Sequence, residues 1–118
     1  MALVATGFGY EADRRAAQAE LLTKLLPNVR DIRRIGAAAL DLCRVAEGTV
    51  DAYFEHGINA WDFAAGAIIA REAGAVVRHP GFDKGSADGE LTWAAGADLA
   101  PAFEKLLAAH RATDALRG

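Results

Sequence analysis

A chain of 118 residues, 53% hydrophobic and 25% charged, has the size and balance of one globular domain with a real core, which excludes a disordered or collagen-like polypeptide. Its net charge of −3, with arginines offset by neighbouring acids and no interleaved aromatics, argues against nucleic acid as a partner. The lone cysteine, Cys43, excludes an internal disulfide and a thiolate metal cluster and points to a cytoplasmic protein.

The first segment, "ALVATGF", reads as a short buried strand running into the turn signal "TGFGY". Over 13–26, Ala16, Ala19, Leu22, Leu25 and Leu26 recur at helical spacing, which predicts an amphipathic helix stopped by Pro27 and Asn28. "VRDIRRIG" is an extended segment entering a glycine turn. The spacing over 37–46 predicts a second helix, apolar on nearly every face and therefore buried, with Cys43 as a small core residue. In "TVDAYFE", Val50, Ala52 and Phe54 alternate with Asp51, Tyr53 and Glu55, a strand with one dry face. "HGIN" turns the chain into a third helix over 60–73, closed by Gly74. Two short strands, "AVV" and "LTWAA", flank the polar "HPGFDKGSADGE", and a last amphipathic helix covers 101–113. Strands separated by helices predict an α/β fold, with a largely parallel or mixed sheet flanked by helices in a single domain over 1–118. No apolar run reaches the ~18 residues that span a membrane.

Two acids stand out. Glu55 ends a strand and Asp62 opens the helix that follows, the place where ligands gather in open α/β sheets. Asp62 is read either as a helix cap or as one wall of a phosphate-ester site. Its helix carries no other charge until Arg71 and Glu72, and an isolated acid on a buried element needs a cation or donors. Trp61 offers it a rigid wall. Asp62 alone cannot build a Mg²⁺ site, which takes six oxygens, and no clustered acid motif lies elsewhere. "GFGY" lacks the third glycine of a dinucleotide fingerprint. His56, His79, His110 and Ser86 have neither ligand spacing nor a nucleophile-elbow context and are expected to be solvated.

The stretch "RRIGAAALDLCRVAEGTVDAYFEHGINAWDFAAGAIIAREAGAVV" closely resembles the C-terminal signature of the inositol monophosphatase family, with its W-D-x-A-A-G helix. "ALVATGF" before it and "TWAAG" with the final helix after it extend the likeness over nearly the whole chain. The resemblance implies the C-terminal half of a layered α/β/α/β/α fold and a Mg²⁺-dependent, lithium-sensitive phosphomonoesterase acting on inositol monophosphate or a related polyol or sugar phosphate, such as histidinol phosphate. It implies Asp62 as a metal ligand, Glu55 as acceptor for a substrate hydroxyl, and the backbone N–H of Ala38 as a donor to another. Ala37 stands where a hydroxyl residue is common, which weakens the substrate wall there; Gly9 replaces a common proline and Ala75 a common glycine. The family's N-terminal metal-binding half, with its glutamate and D-P-x-D-G-T segment, has no counterpart. The chain is accordingly expected to be a fragment, a homodimer by family habit, without catalytic residues of its own and inactive alone. A non-catalytic binding or assembly module is the alternative.

Overall fold

The computed structural model describes residues 2–116. Five strands and four helices follow in the order β1 (Leu3–Thr6), α1 (Ala12–Leu25), β2 (Asp31–Arg33), α2 (Ala38–Glu47), β3 (Ala52–His56), α3 (Ala60–Glu72), β4 (Val76–Arg78), β5 (Leu91–Ala95) and α4 (Ala100–Ala109). The strands form one sheet in the order β2-β1-β3-β5-β4. β1 pairs in parallel with β2 and β3, while β5 runs antiparallel to both β3 and β4. The sheet is therefore mixed. Among the described residues no helix is long and apolar enough to cross a membrane.

Alternation along the strands divides the core in two. Val4, Ala52, Phe54, Trp93 and Ala95 face α1 and α4, where they meet Leu21, Leu25, Phe103 and Leu107. Ala5, Tyr53 and Ala94 face the other way and pack on Leu42 and Val45 of α2 and on Phe63, Ala67 and Ala70 of α3. Three layers result, helices on either side of the sheet. β3 is dry on both faces rather than one, because it lies at the centre of the sheet under helices on each side.

Two helices sit differently from the expectation. α1 buries Arg14, Gln18, Leu21 and Leu25, while Ala16 and Ala19 of the predicted stripe are exposed and line, with Phe8, Leu22 and Leu26, an apolar hollow of about 460 Å³. The spacing was helical, but two stripes share it, and the polar one has partners to bond. α2 is amphipathic rather than wholly buried: Asp41, Leu42 and Val45 are inward, Leu40 is 52% exposed and Cys43 is half-buried.

α2 and α3 approach closely because Gly66 lacks a side chain. A Cβ there would lie 2.8 Å from Leu42 Cβ and 2.9 Å from Leu42 Cδ1, inside van der Waals contact. Gly66→Val is expected to lower stability by about 1–3 kcal/mol through overpacking, read as a shift in the urea midpoint. A variant as stable as the parent would mean that residue 66 does not set the spacing of these helices.

Candidate active site

The three mutually parallel strands end on one side of the sheet. β1 runs into the Gly7–Gly9 loop, β2 into a turn at Gly36 that precedes α2, and β3 into Glu55, His56 and the turn at Gly57. Gly36 and Gly57 take φ of +92° and +78°, left-handed values that glycine adopts without strain. The starts of α2 and α3 meet these loops around a cavity of about 460 Å³. Ala37, Ala38, Glu55 and Asp62 all line it, together with Arg14, Arg34 and Trp61. The four residues singled out from the sequence are thus brought together.

Each is held by identifiable contacts. The Tyr53 hydroxyl donates to Glu55 Oε1 at 2.8 Å, and burial pushes the Glu55 carboxyl above the ordinary range while Tyr53 and Arg34 pull against that rise. Gly7 leaves room for this carboxyl: a Cβ at position 7 would lie 2.6 Å from its carbon. Asp62 Oδ2 accepts the Asn59 N–H at 3.2 Å, so the capping reading describes one of its oxygens; Oδ1 accepts nothing from a described residue. Asn59 in turn spends its side-chain oxygen on the Ser86 N–H, at 2.7 Å. Trp61 is 81% exposed, an open rim rather than a packed wall. Ala37 caps α2 without a side-chain bond, which leaves first-turn N–H groups, that of Ala38 among them, without intrahelical acceptors beside the cavity.

Three expectations of a solvated surface are corrected. His56 is buried, 1% exposed, and its Nε2 donates to the Ala112 carbonyl at 2.6 Å; burial holds its pKa below the ordinary value, so the neutral ring pins the C-terminal segment. Ser86 is half-buried through its bond to Asn59. His79 is half-buried and stacks on Phe63 at 4.7 Å, and His110 is partly shielded at the end of α4. Arg14, Gln18 and Asp41 carry weight that was not foreseen. Gln18 accepts the Gly9 N–H at 2.9 Å, bracing the glycine loop. Arg14, Gln18, Leu21 and Leu25 share helical spacing, but the two polar members give no local sign that this stripe is the buried one.

Asp41 is fully buried in α2, and neither carboxyl oxygen has a hydrogen-bond partner. Burial first, then the Glu55 charge, pushes its pKa from 3.8 up to about 7, against Arg34. Among the described residues no three His, Cys, Asp or Glu side chains converge where a metal could be held. Asp62 fits a hard cation as one oxygen ligand, but the described residues do not complete such a site.

Comparison with known proteins follows the same lines. The model of the inositol monophosphatase family matches residues 1–115. The chain is 65% identical over 80 residues to inositol-1-monophosphatase of Mycobacterium leprae, covering 68% of this chain and 28% of that protein. It is 46% identical over 85 residues to a protein of Haemophilus influenzae named Nus factor SuhB, covering 71% and 31%. Its fold matches Mycobacterium tuberculosis SuhB with a TM-score of 0.84 at 48% identity, over 97% of this chain and 44% of that one. An inositol monophosphatase from Anabaena aligns with a TM-score of 0.72 at 33% identity, covering 92% and 43%. The chain therefore spans under a third of the length of the curated relatives it matches.

Asp41 has a measurable consequence. As pH rises from about 4 to about 7 the unfolded carboxyl ionises while the folded one keeps its proton, so stability is full below the unfolded pKa and falls across that window. Asp41→Asn is expected to flatten that fall and, at pH 8, to stabilise the fold by about 1–3 kcal/mol. This is less than the about 4 kcal/mol that the full displacement represents, because a buried amide without partners has its own cost. Denaturant titrations at pH 4 and pH 8 check it; equal losses with pH in parent and variant would contradict the assignment.

Proposed function

Because the chain belongs to the inositol monophosphatase family, we propose that it forms the alcohol-recognising wall, and one metal-binding carboxylate, of a phosphomonoesterase acting on inositol monophosphate or a related polyol phosphate. The observation that carries this reading is the convergence of Glu55, Asp62 and the bare start of α2 at Ala37 and Ala38 on one cavity. Glu55, fixed by Tyr53, presents an acceptor to a substrate hydroxyl, and the Ala38 N–H presents a donor, so a polyol finds complementary partners on two sides. Oδ1 of Asp62 is the group free to meet a Mg²⁺ ion, and the ion's charge is what would hold the phosphate against a wall that is itself acidic.

The described residues supply too few oxygens for that ion. In this reading the remaining acids come from polypeptide outside them, and its seat is suggested by the outer face of α3. Trp61, Ile68 and Ile69 are 81%, 62% and 48% exposed on the same helix that presents Asp62, an apolar stripe adjoining an incomplete site. The same stripe favours a second reading, a non-catalytic assembly module that uses this face to pair with itself or another chain.

Phosphate release separates the two. The 118-residue protein alone is expected to show no Mg²⁺-dependent hydrolysis of myo-inositol 1-phosphate. Mixed with the remaining N-terminal part of the Mycobacterium leprae relative, it is expected to hydrolyse the ester, with Asp62→Asn reducing kcat by roughly 100-fold or more and Glu55→Gln chiefly raising KM. Failure of the mixture to turn over, with a stable complex seen by size exclusion, would favour the assembly module. Turnover by the chain alone that vanishes in Asp62→Asn would mean that no further acids are needed.

A further inference from the structure

Among the described residues, Arg14 is a buried cation without a counter-ion. It is 4% exposed, lines the same cavity as Glu55 and Asp62, and takes part in no ion pair with a described residue. Its Nε donates to the Leu116 carbonyl at 2.7 Å and Nη1 reaches the Ser86 hydroxyl only at 3.5 Å, while Nη2 donates to no described residue. The other cavity arginine, Arg34, is exposed, lies 5.9 Å from the Phe8 ring centroid and acts electrostatically on Glu55 and Asp41. Glu11 also lines the cavity but is exposed and does not pair with Arg14.

The Arg14 side chain runs close against the backbone at two glycines. At Gly57, where the positive φ already calls for glycine, a Cβ would lie 2.8 Å from Arg14 Cζ, and at Gly9 it would lie 3.0 Å from Arg14 Cδ. A single carbonyl tether does not require a guanidinium: one N–H donor would hold Leu116. What a planar fork adds is a second, unspent edge suited to paired anionic oxygens, and a desolvated cation left without an anion is costly until one arrives.

We propose that Arg14 is a specificity-determining residue that binds a second anionic oxygen group, phosphate or carboxylate, carried by the alcohol part of the phosphate ester. The inference rests on the phosphate-ester reading of the cavity and deepens it: the acidic side recognises hydroxyls and the cation, and the Arg14 side selects substrates with an anion at the far end. Three ligands with one carbon skeleton test it, titrated into the 118-residue protein in Mg²⁺ buffer. They are glucitol 6-phosphate, 6-phosphogluconate with a terminal carboxylate, and glucitol 1,6-bisphosphate with a terminal phosphate.

At least one of the two doubly anionic ligands is expected to bind about tenfold more tightly than glucitol 6-phosphate, the worth of one charged hydrogen-bonded pair, and the stronger of them identifies the group. In Arg14→Gln that preference is expected to fall close to one. A second readout needs no variant: the Nε–Hε resonance of Arg14 should shift with the preferred ligand and not with glucitol 6-phosphate. If none of the three binds, this proposal is overturned, while the phosphate-ester reading stands or falls on turnover by the mixture with the N-terminal part of the relative. If glucitol 6-phosphate binds but the preference is absent, survives Arg14→Gln in a folded variant, or leaves the Arg14 resonance unmoved, only the present proposal is overturned.

Discussion

The parallel alignment of β2, β1 and β3 is the constraint from which the cavity follows. Parallel neighbours end on the same side, so three chain segments leave the sheet together and must turn there. All three turns feed helices, and those after β2 and β3 bring the starts of α2 and α3 and their unsatisfied N–H groups to one place. The antiparallel pair β5 and β4 completes the sheet on the other side of β3 and contributes the loop carrying Ser86, whose bond to Asn59 ties that loop to the start of α3. Had β3 run the other way, Glu55 and Asp62 would lie at the far end of the sheet from the glycine loop of β1.

Charge is distributed unevenly around this cavity. On the α2 and α3 side Glu55 and Asp62 line it together with Arg34, while Asp41 is buried in α2 outside the lining, and all three carboxyls act electrostatically on Tyr53. Only Glu55 has a side-chain donor, Tyr53. On the α1 side lies Arg14, whose charge also helps hold His56 neutral. Among the described residues neither Arg14 nor Asp62 has an ion-pair partner, a condition that structural packing alone would tend to remove.

The order and type of the elements could be read from the sequence because apolar periodicity was strong: the alternation in 50–55 and the glycine stop at Gly74 match β3 and the end of α3. The residues at the cavity were legible through one family signature, which covers Ala37, Ala38, Glu55 and Asp62. Burial was not. Arg14 and Gln18 look like solvent-facing residues on a helix with a competing alanine stripe, and nothing local says that a glycine loop and the Leu116 carbonyl lie waiting for them. Asp41 likewise reads as an ordinary first-turn acid on α2, and only the tertiary stacking of α3 and β3 removes it from water. Long-range partners decide such positions, and a local pattern carries no record of them.

The tether from Arg14 to Leu116 joins positions 102 residues apart, and His56 is joined to Ala112 across 56. Both bonds close loops of long sequence separation, so they form only after the sheet between their ends is in place. The acidic side of the cavity is built from segments nearer to one another in sequence, so local opening of the segment that follows α4 would release the arginine while the acidic wall stayed on a folded sheet.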